Sequence, residues 1–518
     1  MSSFLELFKY KMQMRSDSEN EREAAAKHLG LLGDPKVLDL LVRTLSDKGP
    51  GVRRAAAVSL GQLKDPKAID PLIASMKDKG TNPAMRRAIV TSLGQIGDAK
   101  SIPVLLASLR DVDMDLRKAA SESLVLIGSP AVEYLIELMS CEDEHTRKEA
   151  ISMLGKIKDQ RAVPKLAKLM HEGGSDRSDA ANALNIMGWK PSGPEDRALF
   201  AFVRGKFDEP VAEGKAMVAP LIAIKNDPSN EVRRAVANAL GKIADPRSVP
   251  ALIEMSKDDN PEVRESVARA LGVMKDPSSL DALIELLNDP EQYVRPAAAR
   301  SLGLLKDGRA LEPLMALLND KKYALRKTAA ESLASLGTIS VEPLIDELIN
   351  GDPASKPFVA EALGFLRDKR AVRPLCMALI DRDPAIRRDA AKALGMIGDP
   401  EAADALSSLL HDEQPEVWQM VTKALARFGD GRAVGRLVEM ADNETIAANI
   451  VETITKILQH KISDVSDDDL IKCANLKDIL QERAAQGQMI GNSVDKLNVD
   501  CTTLNGLAKS ELAKRGLM

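Results

Sequence analysis

Eleven arginines stand at one fixed distance ahead of a leucine. Arg22, Arg53, Arg86, Arg117, Arg147, Arg177, Arg233, Arg264, Arg295, Arg326 and Arg387 each precede by seven positions one of Leu29, Leu60, Leu93, Leu124, Leu154, Leu184, Leu240, Leu271, Leu302, Leu333 and Leu394. A cation at constant interval can form a track for an acidic partner, or it can close a recurring bond to a carboxylate. A second fixed interval favours the bond. Asp47, Asp111, Asp227, Asp258, Asp289, Asp320 and Asp381 lie six residues before a repeat arginine, and Asp412 precedes Trp418 likewise. These pairs are expected to form a structural ladder, each guanidinium bridging a turn carboxylate and backbone carbonyls of an adjoining unit.

Other groups able to do chemistry are sparse. His171-Glu172 is the single His-Glu pair, and His28, His145, His411 and His460 supply no second copy. Cys141, Cys376, Cys473 and Cys501 are scattered without a CxxC, which speaks against a disulfide framework or zinc site and for reduced thiols. No Walker loop, nucleotide fingerprint, G-x-S-x-G elbow or HExxH is present. No catalytic residue, metal or cofactor is therefore expected.

The elements that position the arginines follow from the repeat itself. The leucines recur about every 31 positions, and Leu363 and Leu425 complete the series behind Lys356 and Trp418. A period of that size signals stacked supersecondary units. In Val52 to Met76, Val52, Ala55, Ala56, Leu60 and Leu63 share one helical face, as Leu72, Ile73 and Met76 do in the next segment. Two helices are implied, joined at Lys64-Asp65-Pro66. Five residues after each leucine stands Asp34, Asp65, Asp98, Ser129, Asp159, Trp189, Asp245, Asp276, Asp307, Thr338, Asp368, Asp399 or Asp430. All but Trp189 are N-cap formers, and capping accounts for them without catalysis. Gly30, Gly61, Gly94, Gly155, Gly241, Gly272, Gly303, Gly364 and Gly395 follow their leucines late in a helix, where each costs about 1 kcal/mol against alanine. Close helix approach is the expected compensation.

Composition agrees. A chain of 518 residues with 3% aromatics is too long for one core and too poor in large side chains to build one, whereas small units bury Ala, Leu, Val and Ile between neighbours. Net charge is −5 with 29% charged residues, so the chain is not globally a nucleic-acid binder. The segment MSSFLELFKYKMQM has no signal-type apolar stretch, and no run approaches the roughly 20 residues of a membrane span, so a cytoplasmic location without membrane association is expected.

The unit VRRAAAVSLGQLKDPKAIDPLIASM resembles a HEAT repeat, specifically the short phycobilisome-lyase-type HEAT-like repeat, over nearly residues 1–460. The resemblance implies an all-α, right-handed superhelix of about fourteen helix pairs, with the Val-Arg helix lining the concave side. It also implies a bent outer helix, which Pro71, Pro103, Pro164, Pro250, Pro313, Pro343 and Pro374 match. The resemblance also implies two alternative activities. Deoxyhypusine hydroxylases hold two irons with paired His-Glu motifs, which this sequence does not supply. Phycobilin lyases of the E/F type bind an acidic tetrapyrrole, but the concave stripe has no aromatic cluster for it.

On that concave stripe, the residues six and two before each leucine are one turn apart. Across thirteen repeats these positions hold twelve basic and five acidic residues. Arg54, Arg87, Lys118, Lys148, Arg234 and Arg388 are the candidate contacts to a protein partner of acidic character. Few aromatics interleave with the bases, so nucleic acid is disfavoured. A second candidate is the break in period between Leu184 and Leu240, about 25 residues too long, which holds Trp189, Phe200, Phe202 and Phe207. The expected organisation is repeats over 1–187, an aromatic insertion over 188–214 with a helix at 195–204, repeats over 215–460, and a helical cap or tail over 461–518 opened by Ser466. The expected function is a non-catalytic protein-binding scaffold; the oligomeric state is not specified.

Overall fold

The computed structural model describes residues 2–78, 81–428, 431, 433–440, 447–485 and 493–517. Among these there is no strand, and long helices alternate with short ones. Glu19–Leu32, Pro50–Leu63, Pro83–Ile96 and Pro384–Ile397 are long helices of 14 residues; Leu38–Thr44, Ile69–Met76 and Val372–Ala378 are short. The repeat leucines Leu29, Leu60, Leu93, Leu240, Leu302 and Leu394 are fully buried between them.

The expected caps are present, on a slightly different element. Asp65 accepts the Lys67 N–H at 3.0 Å and opens a three-residue 3₁₀ turn, Pro66–Ala68, which runs directly into Ile69–Met76. Asp34, Asp98, Asp159, Asp245, Asp276, Asp307, Asp368 and Asp399 make the same bond. Ser129 and Thr338 do not cap. Their turns are opened by Gly128 and Gly337 at φ 73° and 99°, and the Ser129 hydroxyl donates to Asp159 of the next repeat at 2.5 Å. Asp430 lies outside the described residues. The prolines expected to bend the short helix occupy its first turn just past the 3₁₀ segment, where a missing N–H costs nothing.

The ladder forms, with its partners exchanged relative to the expectation. Arg53 donates to the backbone carbonyl of Asp47 at 2.7 Å, not to its carboxylate. The Asp47 carboxylate takes Arg22 of the preceding repeat instead, at 2.9 Å through both Nε and Nη2. Arg264 and Asp289, and Arg387 and Asp412, repeat this bidentate geometry. Arg86 reaches Asp111, and Arg295 stands 3.6 Å from Asp320. Arg117, Arg233, Arg264, Arg326 and Arg387 donate to the carbonyl six residues back, which belongs to Asp111, Asp227, Asp258, Asp320 and Asp381. Asp47, Asp111, Asp227 and Asp320 therefore serve two arginines each, by side chain to the unit before and by carbonyl within their own. Burial disfavours charge on Asp47, Asp289 and Asp412, yet their arginines and a backbone N–H two residues on hold each carboxyl below the usual aspartate range.

The nine in-helix glycines mark where long helices touch. A Cβ at any of them would lie under 3.0 Å from the small residue just before the next repeat leucine, such as Ser59, Ser92, Ala183 or Ala393. Ser59 and Ser301 use that closeness to donate to the Ala26 and Ala268 carbonyls of the preceding helix, at 2.8 and 2.7 Å.

The chain divides into two compact units, Met1–Ala235 and Val236–Met518. This boundary lies inside the helix Asn230–Ile243. In the second unit, the tail forms helices Asp467–Ala485 and Ser493–Lys514, which pack on each other, and the latter also packs on Ala447–Lys461. Ser466 caps the first of them by accepting the Asp469 N–H at 3.1 Å. Arg515 fastens the last by donating to the carbonyls of Val465, Ile462 and Ser463. Leu470, Leu476, Leu504 and Leu512 are buried there.

Candidate interaction surface

With the ladder at its start and the glycine contacts near its end, each long helix is left one exposed strip. Arg54 and Val58 lie on it, four residues apart, and both are exposed. Lys118 and Glu122, and Lys327 and Glu331, repeat the arrangement.

The bases on this strip are mostly paired. Arg54 lies 3.9 Å from Glu23, Arg87 bonds Asp115 of the next repeat, and Lys148 is 2.6 Å from Glu144. Arg388 contacts Asp389 at 2.8 Å and Glu416 at 3.5 Å, and half-buried Arg234 is also engaged. The excess of bases at two positions per helix is thus largely offset by carboxylates at neighbouring positions. Lys118, Arg300, Lys423 and Arg427 form no ion pair among the described residues.

Sequence reasoning that stops at two positions per helix misses a third. One further turn along the same strip, two residues past the leucine, seven of the thirteen repeats carry an apolar side chain, Leu31, Leu126 and Ile186 in the first unit and Val273, Leu304, Phe365 and Met396 in the second, while the other six carry Gln62, Gln95, Lys156, Lys242, Ser335 and Arg427. Val273, Leu304 and Phe365 are 55%, 43% and 51% exposed. The signal was available, because adding four to the second position continues the helical stripe. Met396 lies beside the preceding helix, its Sδ 3.3 Å from where a Cβ on Gly364 would stand.

The insertion is built mainly inward. Its helix is Pro194–Val203, and Phe200 and Phe202 are 8% and 4% exposed, so these two expected contacts belong to the packing. Trp189, half-buried, meets Phe200 edge-on at 5.2 Å, and the Arg204 guanidinium covers the Phe200 ring at 4.9 Å. Phe207, 48% exposed, remains on the surface beside Phe202. Two substitutions in the ladder prepare this region. Asp176 accepts Arg147 at 2.8 Å in place of a residue at 171, and His171 is freed to meet Asp196 of the insertion helix at 2.9 Å. Cys141, at the other irregular position, supplies its carbonyl to Arg147 at 2.9 Å.

Among the described residues, no three His, Cys, Asp or Glu side chains gather as metal ligands, and no helix is long and apolar enough to cross a membrane.

Several solved structures align with the chain. Importin beta, crystallised in an ammonium sulfate condition, is 15% identical over all of this chain and 69% of its own, with a TM-score of 0.44. Human deoxyhypusine hydroxylase is 22% identical over 53% of this chain and 98% of its own, with a TM-score of 0.21. YibA of Escherichia coli is 23% identical over 57% of this chain and 100% of its own, with a TM-score of 0.30. Comparison with the curated proteins finds no match. The family model for HEAT repeats matches residues 11–82, 72–125, 109–185, 218–302, 280–353, 341–417 and 379–455. The unmatched interval after 185 holds the aromatic insertion. With most of its length so matched, and with the long and short helices, caps and ladder repeating through it, the chain belongs to the HEAT repeat family.

Proposed function

We propose that this protein is a non-catalytic, cytoplasmic scaffold of the short phycobilisome-lyase-type HEAT class, which binds a protein partner along the exposed strips of its long helices. The observation that carries this reading is the third row. Val273, Leu304 and Phe365 are apolar and exposed at equivalent positions of one unit, where the fold itself gains nothing from them. Burying them against a partner would return about 25 cal/mol per Å² of apolar area removed from water. The ion-paired rows beside them would form a polar rim, favouring orientation over affinity.

The test is capture of partners from the native cell by the tagged protein, followed by substitution of the strip. Leu304→Asp with Phe365→Asp is expected to abolish capture of whatever binds the wild type, with folding unchanged because both side chains are exposed. Retention of every partner by that variant would end the reading. Turnover of a small molecule by the purified protein would end the non-catalytic part of it.

A further inference from the structure

Two bases of the second unit that form no ion pair among the described residues, Lys423 and Arg427, stand at one groove. The helices Pro415–Phe428 and Ala447–Lys461 enclose a groove of about 680 Å³, lined by Gln419, Thr422, Lys423, Arg427, Glu452 and Lys456 among others. Lys456 is held by Glu452 at 2.6 Å, while Lys423 and Arg427 have no acidic partner among the described residues. Three bases therefore face one carboxylate, in a chain whose net charge is −5. Lys423 and Arg427 are also members of the strip, at its second and third positions. The third row thus runs Val273, Leu304, Ser335, Phe365, Met396 and then Arg427, an apolar edge ending in a cation.

From this juxtaposition we propose that the groove is the anchoring end of the partner-binding face, and that it takes the carboxylates of an extended acidic peptide segment whose apolar side chains lie on Met396 and Phe365. This deepens the scaffold reading and rests on it. The dimensions agree. Neighbouring helices stand about 8–10 Å apart, so Phe365 lies roughly 16–20 Å along the stack from the Lys423 helix. An extended chain covers that distance in about five or six residues at roughly 3.3 Å each. A peptide is favoured over nucleic acid by the apolar edge, where Phe365 is the single aromatic and valine, leucine and methionine offer bases little to stack on. Free anions would find the cations but would gain nothing from the apolar row.

The experiment is fluorescence anisotropy on the full chain near physiological salt with three labelled probes: a peptide alternating glutamate and leucine, the same peptide with serine for leucine, and oligouridylate. The glutamate-leucine peptide is expected to bind best. Lys423→Glu with Arg427→Glu should weaken it about tenfold or more, as expected when a charge contact becomes repulsive, and Phe365→Ser should weaken it without affecting the serine peptide. Lys36→Glu with Lys67→Glu, on exposed turns of the first unit away from the strip, should leave it unchanged. The proposal is overturned by absence of binding, by equal binding to the Lys423→Glu/Arg427→Glu protein, or by tighter binding of oligouridylate. Because Lys423 and Arg427 are exposed, the reversed protein should unfold at the wild-type temperature. If native partners are still captured by that protein but not by Leu304→Asp/Phe365→Asp, the groove is refuted while the scaffold stands.

Discussion

Arg177 holds Asp227 in a buried bidentate pair, with Nη2 and Oδ2 2.6 Å apart, across 50 positions of sequence. In the regular repeats the same bond spans 25. The whole insertion is therefore bridged by one ladder contact, and the repeat resumes on its far side as though the extra residues were absent.

Removing one partner of that pair should be costly. Both side chains are about 5% exposed, and an ion stranded in such a place costs about 3–5 kcal/mol. Asp227→Ala should lower unfolding stability by that amount in chemical denaturation, whereas Asp320→Ala, whose pair with Arg295 is longer and more exposed, should cost clearly less. Equal losses would mean that the 50-residue closure carries no special weight.

Gly61→Ala should destabilise, although alanine is the better helix former. Its Cβ would lie 2.7 Å from the Ser92 Cα, a backbone atom that cannot swing aside. Helix propensity offers about 1 kcal/mol back, and overpacking of this kind costs roughly 1–3 kcal/mol. Thermal melts should show a net loss, partly restored by adding Ser92→Gly.

Acid should loosen the stack through the ladder. Asp47, Asp289 and Asp412 have carboxyls held below their ordinary values, so the unfolded chain binds more protons near pH 4. Their contribution is complete above the ordinary aspartate value of about 3.9 and is lost as pH falls through the lower folded values. Denaturation midpoints should fall along that limb, and Asp289→Asn should flatten it while lowering stability at neutral pH.

Within the insertion, Phe200→Ala should cost about 3–5 kcal/mol as a large buried deletion, and Phe207→Ala should be nearly silent in a stability assay. If Phe207→Ala instead weakens partner capture, the insertion contributes a contact as well as packing.

The tail offers a chemical check. Burial pushes the Cys473 thiol up to about 12, so at pH 8 its thiolate is on the order of one part in ten thousand. Mass-spectrometric mapping with a thiol reagent should find Cys473 labelled only after denaturation. Labelling in the native protein would show that the last helix pair opens readily.

Much of this architecture is readable along the chain because one unit recurs. A single set of spacings predicts the helix pair, the aspartate cap, the glycine approach and the existence of an arginine–aspartate ladder. The partner exchange in the ladder is not readable. Asp47 is six residues from Arg53 and 25 from Arg22, and proximity along the chain favours the wrong guanidinium. Ser129 and Thr338 mislead because their residue type fits a cap, while the left-handed glycine before each already opens the turn. The charged strip misleads for a related reason. Summing residue types at two positions cannot show that Arg87 is met by Asp115 from the next helix. Arg326 is a subtler departure: its next unit has Gly351 where an aspartate would be expected, and its guanidinium lies 5.5 Å over the Phe358 ring.

The division of labour in Asp47, Asp111, Asp227 and Asp320, carboxylate to the unit before and carbonyl within its own, gives those interfaces the same head and the same tail. A duplicated repeat dropped between any two regular units would meet a matching donor on one side and a matching acceptor on the other, so length can change by whole units without redesigning a contact. At Asp412 the scheme changes, because the residue six positions on is Trp418, whose indole carries one N–H and no charge with which to hold a further carboxylate.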